Sequence, residues 1–146
     1  MSSHYLPSGL PIPVPEVDGI SAPFWAGLLS GRLRIQRCSS CQQWQFGPEW
    51  ICHRCHAFDP LWVDVEPIGQ IYSWERVWHP VHPALKDRMP YLAVLVELPQ
   101  AGRVRLVGNL LGDPCQEVRI GADVVGEFEH HNEVSPAYSL LQWRCR

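Results

Sequence analysis

The stretch that decides the fold is CSSCQQWQFGPEWICHRC, Cys38 to Cys55. Its four cysteines, Cys38, Cys41, Cys52 and Cys55, form the pattern C-x2-C-x10-C-x2-C. Two residues between paired cysteines allow a tight turn to aim both sulfurs at one point. Two such turns supply a tetrahedron of thiolates, which Zn2+ accepts without geometric penalty. Four protein ligands leave no open coordination position, so the expected site is a structural zinc rather than a catalytic one. Tetrathiolate iron of the rubredoxin type uses the same ligands and stays open as an alternative. A dithiol redox pair belongs at the start of a helix in an α/β setting, a pattern missing here. His53 and His56 bring imidazole close, but the cysteines already complete the metal, which assigns both to solvent or to a place behind the ligands. Knuckle turns of this kind favour glycine after the second cysteine, because the chain there takes positive φ. Gln42 and His56 stand at those places, so slightly strained loops are expected.

On either side, RLRIQRC and LWVDVEP alternate in polarity and read as strands entering and leaving the knuckles. Strand, knuckle, loop, knuckle, strand is the layout of a zinc ribbon. Trp44, Phe46, Trp50 and Trp62 are expected to pack its small core. Alternation puts Arg32 and Arg34 on one strand face. With Arg37 they read as a solvated face, a phosphate or a partner carboxylate being the competing use. Upstream, SAPFWAGLLSG offers Ser21 as a cap, Pro23 for a first turn, and Phe24, Trp25, Leu28 and Leu29 at helical spacing, with Gly31 as a stop. A helix over about 22–30 is expected, and its Phe-Trp face must dock on this chain or on a partner. Residues 1–22 hold four of the 14 prolines and read as an extended arm, whose apolar LPIPVP suits wrapping a partner.

From Ile68 onward the signals are β. GQIYSWERVW, YLAVLVEL, VRLVGNLL and ADVVGEFEHH read as strands, with YSLLQWR available as a fifth. The breaks between them carry Gly, Pro or Asp. Short strands at this spacing point to a small barrel or sandwich. Gly69 and Gly108 fall inside strand patterns, where bulges or bends are expected. The chain divides into an arm (1–22), helix plus ribbon (23–64), barrel (65–130) and a C-terminal tail (131–146) able to add a strand.

Composition limits the function. With 146 residues, 46% of them hydrophobic, a real core is expected and global disorder is not. A net charge of −3 and a single lysine, Lys86, give no strong field for nucleic acid or an anionic membrane. No apolar run approaches the roughly 18 residues of a membrane span, and no leader pattern opens the sequence. A cytoplasmic protein is expected, where paired cysteines more often bind metal than form disulfides. Cys115 and Cys145 are isolated thiols with no histidine pattern to activate them, so no catalytic residue is nominated.

The order of a Phe-Trp helix, GRLRIQRCSSC, the four-cysteine ribbon, GQIYSWERVWHPVHPAL and an apolar strand ahead of RLVGNLLG resembles the zinc-ribbon/OB-fold acyl-CoA-associated proteins, a family first catalogued as a domain of unknown function. The resemblance covers roughly residues 22–130. It implies a mainly β fold: a short N-terminal helix, a rubredoxin-like zinc ribbon and a five-stranded OB-fold barrel. It also implies an accessory subunit, not an enzyme alone, in a hetero-oligomer with a thiolase, a lipid-transfer-type aldolase or a hydratase acting on CoA thioesters. Such a subunit shapes the partner's coenzyme A or acyl-CoA site or passes on its intermediate, while the partner's residues do the chemistry.

Loops between OB strands bind ligands. Trp78, His79, His82, Lys86 and Arg88 are therefore candidates for contact with CoA or the partner, since aromatics stack on adenine and cations meet phosphates. Phe24 and Trp25 are the candidate partner-docking residues. The competing class is a nucleic-acid-binding ribbon/OB module, which the acidic balance and lone lysine oppose. A stand-alone thioester hydrolase or redox protein would need a nucleophile, a base or an open metal position, and the sequence offers none.

Overall fold

Proline inside the first turn and glycine just past the last bracket α1, Ala22–Leu29. The helix ends in a Schellman motif. Gly31 takes φ +68° and donates its N–H to Leu28 O, while the Arg32 N–H returns to Gly27 O at 2.8 Å. The Ser21 side chain makes no cap, contrary to expectation: its backbone already lies in the helical region. The protein is represented by a computed structural model that describes residues 4, 5, 7–11, 15, 16 and 18–146. Part of the expected arm, including 12–14 within LPIPVP, lies outside the described residues.

The ribbon is a three-stranded antiparallel sheet of β1 (Leu33–Arg37), β2 (Trp44–Gln45) and β3 (Leu61–Val65), in the order β2-β1-β3. Alternation sends Leu33 and Ile35 inward, where they are fully buried. Its aromatics meet expectation in part: Trp44 and Phe46 pack against the core, and Trp50 does not. Phe46 packs against Phe24 with ring centroids 5.4 Å apart, and Trp44 lies half-buried beneath Arg37. Trp50 is 63% exposed. The interior it was expected to fill holds the amides of Gln36 and Gln45 instead.

The second sheet has five strands: β4 (Ile68–Val77), β5 (Tyr91–Leu98), β6 (Val104–Asn109), β7 (Asp123–His131) and β8 (Tyr138–Cys145). Their order is β6-β5-β4-β7-β8, antiparallel throughout. Its two edges meet. Leu110 bridges Trp143 in parallel, and the Leu111 N–H reaches Trp143 O at 2.7 Å. The result is a nearly closed barrel with OB topology. The register shift in β4 falls at Ile71/Ser73 rather than at a glycine. Gly69 and Gly108 answer a different need, because there is no room for a side chain. A Cβ on Gly69 would lie 2.5 Å from Val96 Cγ1, and one on Gly108 would lie 2.7 Å from Trp143 Cδ1.

One apolar core serves both sheets. Leu28 of α1 and Leu33 and Ile35 of β1 belong to the same buried cluster as Val94, Leu106, Leu110 and Trp143 of the barrel. The linker is tied down as well. The Gln100 side chain donates to Glu66 O at 2.7 Å and Ile68 O at 2.9 Å, and the Gly126 N–H donates to Pro67 O at 2.6 Å. Among the described residues no helix is long and apolar enough to cross a membrane.

Candidate metal centre and partner surface

Each cysteine pair sits on a turn closed by its own backbone. Gln42 N–H donates to Cys38 O at 3.0 Å, and His56 N–H donates to Cys52 O at 2.9 Å. Both turns need positive φ at the residue after the second cysteine, and Gln42 (+63°) and His56 (+61°) adopt it, as expected from their positions. The turns bring all four sulfurs within 4.8 Å of one another. Cys38 and Cys55 Sγ are 3.5 Å apart, and Cys41 and Cys52 Sγ are 3.6 Å apart. A tetrahedron with Zn–S bonds of about 2.3 Å places its sulfurs ~3.8 Å apart, so the cluster fits zinc with little adjustment.

Electrostatics point the same way. The Cys41 N–H, 3.4 Å from Cys38 Sγ, is the main cause that lowers the Cys38 thiol to about 6. Cys52 is lowered too, by the Cys55 amide and then by Arg54 N–H, which lies 3.4 Å from its sulfur. Cys41 goes the other way: the Gln43 amide opposes the shift, but burial and the neighbouring sulfurs push it up to about 12. The backbone thus favours thiolates that crowding resists. A divalent cation lets all four ionise together.

Behind the metal side lies a polar scaffold. Gln45 Nε2 donates to Gln36 Oε1 at 3.1 Å, and the same oxygen accepts the Glu49 N–H at 2.9 Å. Gln36 Nε2 donates to Glu49 O at 3.1 Å. Gln45 Oε1 accepts the His53 N–H at 3.3 Å and lies 3.1 Å from His53 Nδ1. His53 is therefore held by an amide behind the knuckle. The two glutamines staple the 46–53 loop onto β1 and β2.

The residues of the 78–90 loop divide by role. Trp78, His79 and Lys86 are exposed. His82 Nδ1 accepts the Ala84 N–H at 3.1 Å and caps a 3-10 turn over Pro83–Arg88. Arg88 donates to Tyr5 O at 3.2 Å, and with Tyr5, Leu85 and Tyr91 it lines a cavity of about 340 Å3. Phe24 and Trp25 pack edge-on at 5.5 Å and stay half-buried against the shared core. Together with Phe46, Arg105 and Val107 they also line a groove of about 410 Å3. Arg32 and Arg34 do share a face, and both reach Asp64, at 3.4 and 3.0 Å.

One feature had no sequence signal. Glu97, inside the apolar run of β5, is buried yet paired with Arg103 at 2.6 Å and Arg105 at 3.1 Å, and Arg105 lies 3.5 Å above the Tyr72 ring centroid.

A four-cysteine ribbon joined through a common core to a five-stranded, nearly closed barrel defines a zinc-ribbon/OB-fold protein. Residues 25–60 match the family model for the rubredoxin-like zinc ribbon domain of ChsH2, and residues 62–129 match that for its C-terminal OB-fold domain. The chain belongs to the ChsH2 family. It is 34% identical to a chain of a solved structure described as "Ltp2-ChsH2(DUF35) aldolase", with a TM-score of 0.76 over 90% of this chain and 98% of that one. A DUF35 protein of unknown function from Sulfolobus solfataricus shares the fold, with a TM-score of 0.57 at 14% identity over 88% of this chain and 87% of that one. A "Probable enoyl-CoA hydratase alpha subunit" of Thermomonospora curvata is 37% identical over 132 residues, which are 90% of this chain and 39% of the relative. The chain thus spans about two fifths of that relative's length.

Proposed function

We propose that the chain is a non-catalytic accessory subunit of a hetero-oligomeric complex that processes CoA thioesters. A thiolase or thiolase-fold aldolase is its partner, in the breakdown of an aromatic, fatty or steroid acid. In this reading Cys38, Cys41, Cys52 and Cys55 hold a structural Zn2+. Ribbon and barrel shape the partner's acyl-CoA site or pass on its intermediate. The observation that carries the reading is the exposure of large apolar side chains on one barrel loop: Trp78 is 65% exposed and Val81, three residues on, 79%. Exposed apolar groups that lie together mark partner surfaces. Relatives described as part of an aldolase and as a hydratase subunit support the class of partner. On the 78–90 loop, Trp78, His79, His82, Lys86 and Arg88 are the candidates for contact with the partner or CoA; His82 also caps the 3-10 turn and Arg88 also holds the Tyr5 carbonyl. Phe24 and Trp25 offer a second contact along their groove.

The test is co-expression with aldolase-, thiolase- and hydratase-type enzymes. Co-elution is read by size exclusion, and partner turnover of a CoA thioester is measured with and without this chain. The expected result is a stable complex with one of them and turnover that depends on this subunit. A partner fully active alone, or turnover by this chain alone, would overturn the reading.

A further inference from the structure

A second group of metal-type ligands lies away from the cysteines, where the N-terminal segment meets the β7–β8 hairpin. His131 ends β7 and Glu133 follows in the turn. His4 lies against them, its ring centroid 3.9 Å from that of His131 and tilted by 31°. Nδ1 of His4 is 3.6 Å from Glu133 Oε1, and Nδ1 of His131 is 3.5 Å from the same oxygen. The three ligand atoms lie within 4.8 Å of one another.

The hydrogen bonds on the far sides of the rings decide where the protons are. His4 Nε2 is 3.1 Å from the His130 carbonyl oxygen, which only accepts, so Nε2 donates. His131 Nε2 is 2.9 Å from Glu129 Oε1, and that buried carboxylate also accepts from Gln142 Nε2 at 3.0 Å. His131 Nε2 therefore donates as well. In a neutral imidazole the other nitrogen then carries the lone pair. Two such nitrogens and a carboxylate oxygen face one another within coordination reach, and a positive charge, metal ion or proton, draws such a set together. A carboxylate behind an imidazole is also the arrangement that orients metal-ligating histidines. Tyr138 stacks on His131 at 4.5 Å and 8°, which holds the ring in place.

We propose that His4, His131 and Glu133 form a second metal site, for Zn2+ or a similar late first-row divalent cation. Two imidazoles and a carboxylate suit that class of ion, with water completing the shell. Bonds of about 2.0–2.1 Å in a tetrahedron separate ligand atoms by ~3.4 Å, close to the spacing found here. Coordination asks the two rings to turn their Nδ1 atoms toward a common point. The site would pin the N-terminal segment to the barrel. Tyr5, the next residue, forms part of the cavity wall with Leu85, Arg88 and Tyr91, so loading the ion fixes that wall.

The test counts zinc. Protein carrying its ribbon metal is dialysed against micromolar buffered free Zn2+, and zinc per chain is measured by mass spectrometry. Two equivalents are expected in the wild-type protein and one in His4→Gln and in Glu133→Gln, neither residue belonging to the buried core. One equivalent in the wild-type protein would overturn the proposal, with a protonated imidazole then supplying the charge. Two equivalents in either variant would overturn the ligand set. Co2+ added to protein carrying zinc at the ribbon alone gives an independent readout. Weak visible bands of a nitrogen/oxygen site are expected, whereas a strong thiolate charge-transfer band would place the added ion at the cysteines and refute the site.

Discussion

Loss of the ribbon metal is expected to open the knuckles while the barrel stays folded. The perturbation is Cys38→Ser or Cys55→Ser, or removal of zinc by a strong chelator. Leu33 and Ile35 are the ribbon's fully buried aliphatic side chains. Each contributes about 1.5–3 kcal/mol. Hydrogen bonds such as those of Gln36 and Gln45 add about 1 kcal/mol apiece, net. Structural zinc contributes about 10–16 kcal/mol in small zinc domains at neutral pH, so the ion outweighs the packing beside it. The barrel core, from Ile71 to Trp143, depends on no ligand. Hydrogen exchange read by mass spectrometry follows both parts at once. The amides of Cys38, Gln42, Cys52 and His56 close the knuckles at 2.8–3.0 Å. They are expected to lose protection, while β4, β5 and β7 keep theirs. Knuckle amides equally protected with and without metal would refute the reasoning, as would barrel strands that open in step with them. Unchanged zinc content in both serine variants would refute the ligand assignment.

Gly69→Ala places a methyl 2.5 Å from Val96 Cγ1 and 2.6 Å from the Glu97 carbonyl oxygen. Because the second contact is backbone, a loss near 3 kcal/mol is expected, the upper end of about 1–3 kcal/mol for overpacking, read by urea denaturation; an unchanged midpoint would count against the packing described. Phe24→Ala and Trp25→Ala remove half-buried rings, so each is expected to cost about 2 kcal/mol, below the 3–5 of full burial. If neither stability nor co-elution with a partner enzyme changes, the helix face has no role. Glu127 is held below the usual carboxyl range, first by its hydrogen bond from Arg144. A depressed carboxyl contributes stability above the unfolded value of about 4.3, and that contribution fades as pH falls through the folded value. The pair is solvent-exposed, so Glu127→Gln is expected to cost no more than about 0.5 kcal/mol at pH 7. Thermal melts across pH should show the gap to wild type closing in acid; a gap that persists there would assign it to another cause.

Much of the ribbon was legible because its chemistry is local. Cysteine spacing sets the knuckles, and the residues that must take positive φ are those beside the second cysteine of each pair. The strands of the barrel were legible from alternation and turn residues. The rest depends on partners distant in sequence. Gln36 and Gln45 look like a solvated strand face until the 46–53 loop folds over them. Glu97 sits in YLAVLVEL as a lone charge, and only the β5–β6 hairpin shows that Arg103 and Arg105 cover it. Closure through Leu110 and Trp143 joins strands about thirty residues apart, which no periodicity encodes. Trp50 shows the opposite limit: an aromatic residue beside a metal knuckle reads as core, but its exposure depends on which way a loop turns. His82 and Arg88 read as ligand contacts, but nothing in the sequence points to the hydrogen bonds they make, with the Ala84 N–H and the Tyr5 carbonyl oxygen.

Gln100 and Gly126 suture the seam between ribbon and barrel, with hydrogen bonds to the carbonyls of Glu66, Pro67 and Ile68. Trp44 closes it from the ribbon side, so near Gly102 that a Cβ there would fall 2.7 Å from the indole Cδ1. A seam fastened in this way does not swing. A macromolecule that lands across both modules meets two patches already at their final separation and bearing. Its association then loses no interdomain freedom, and its capture rate is set by diffusion and orientation rather than by waiting for a rare pose.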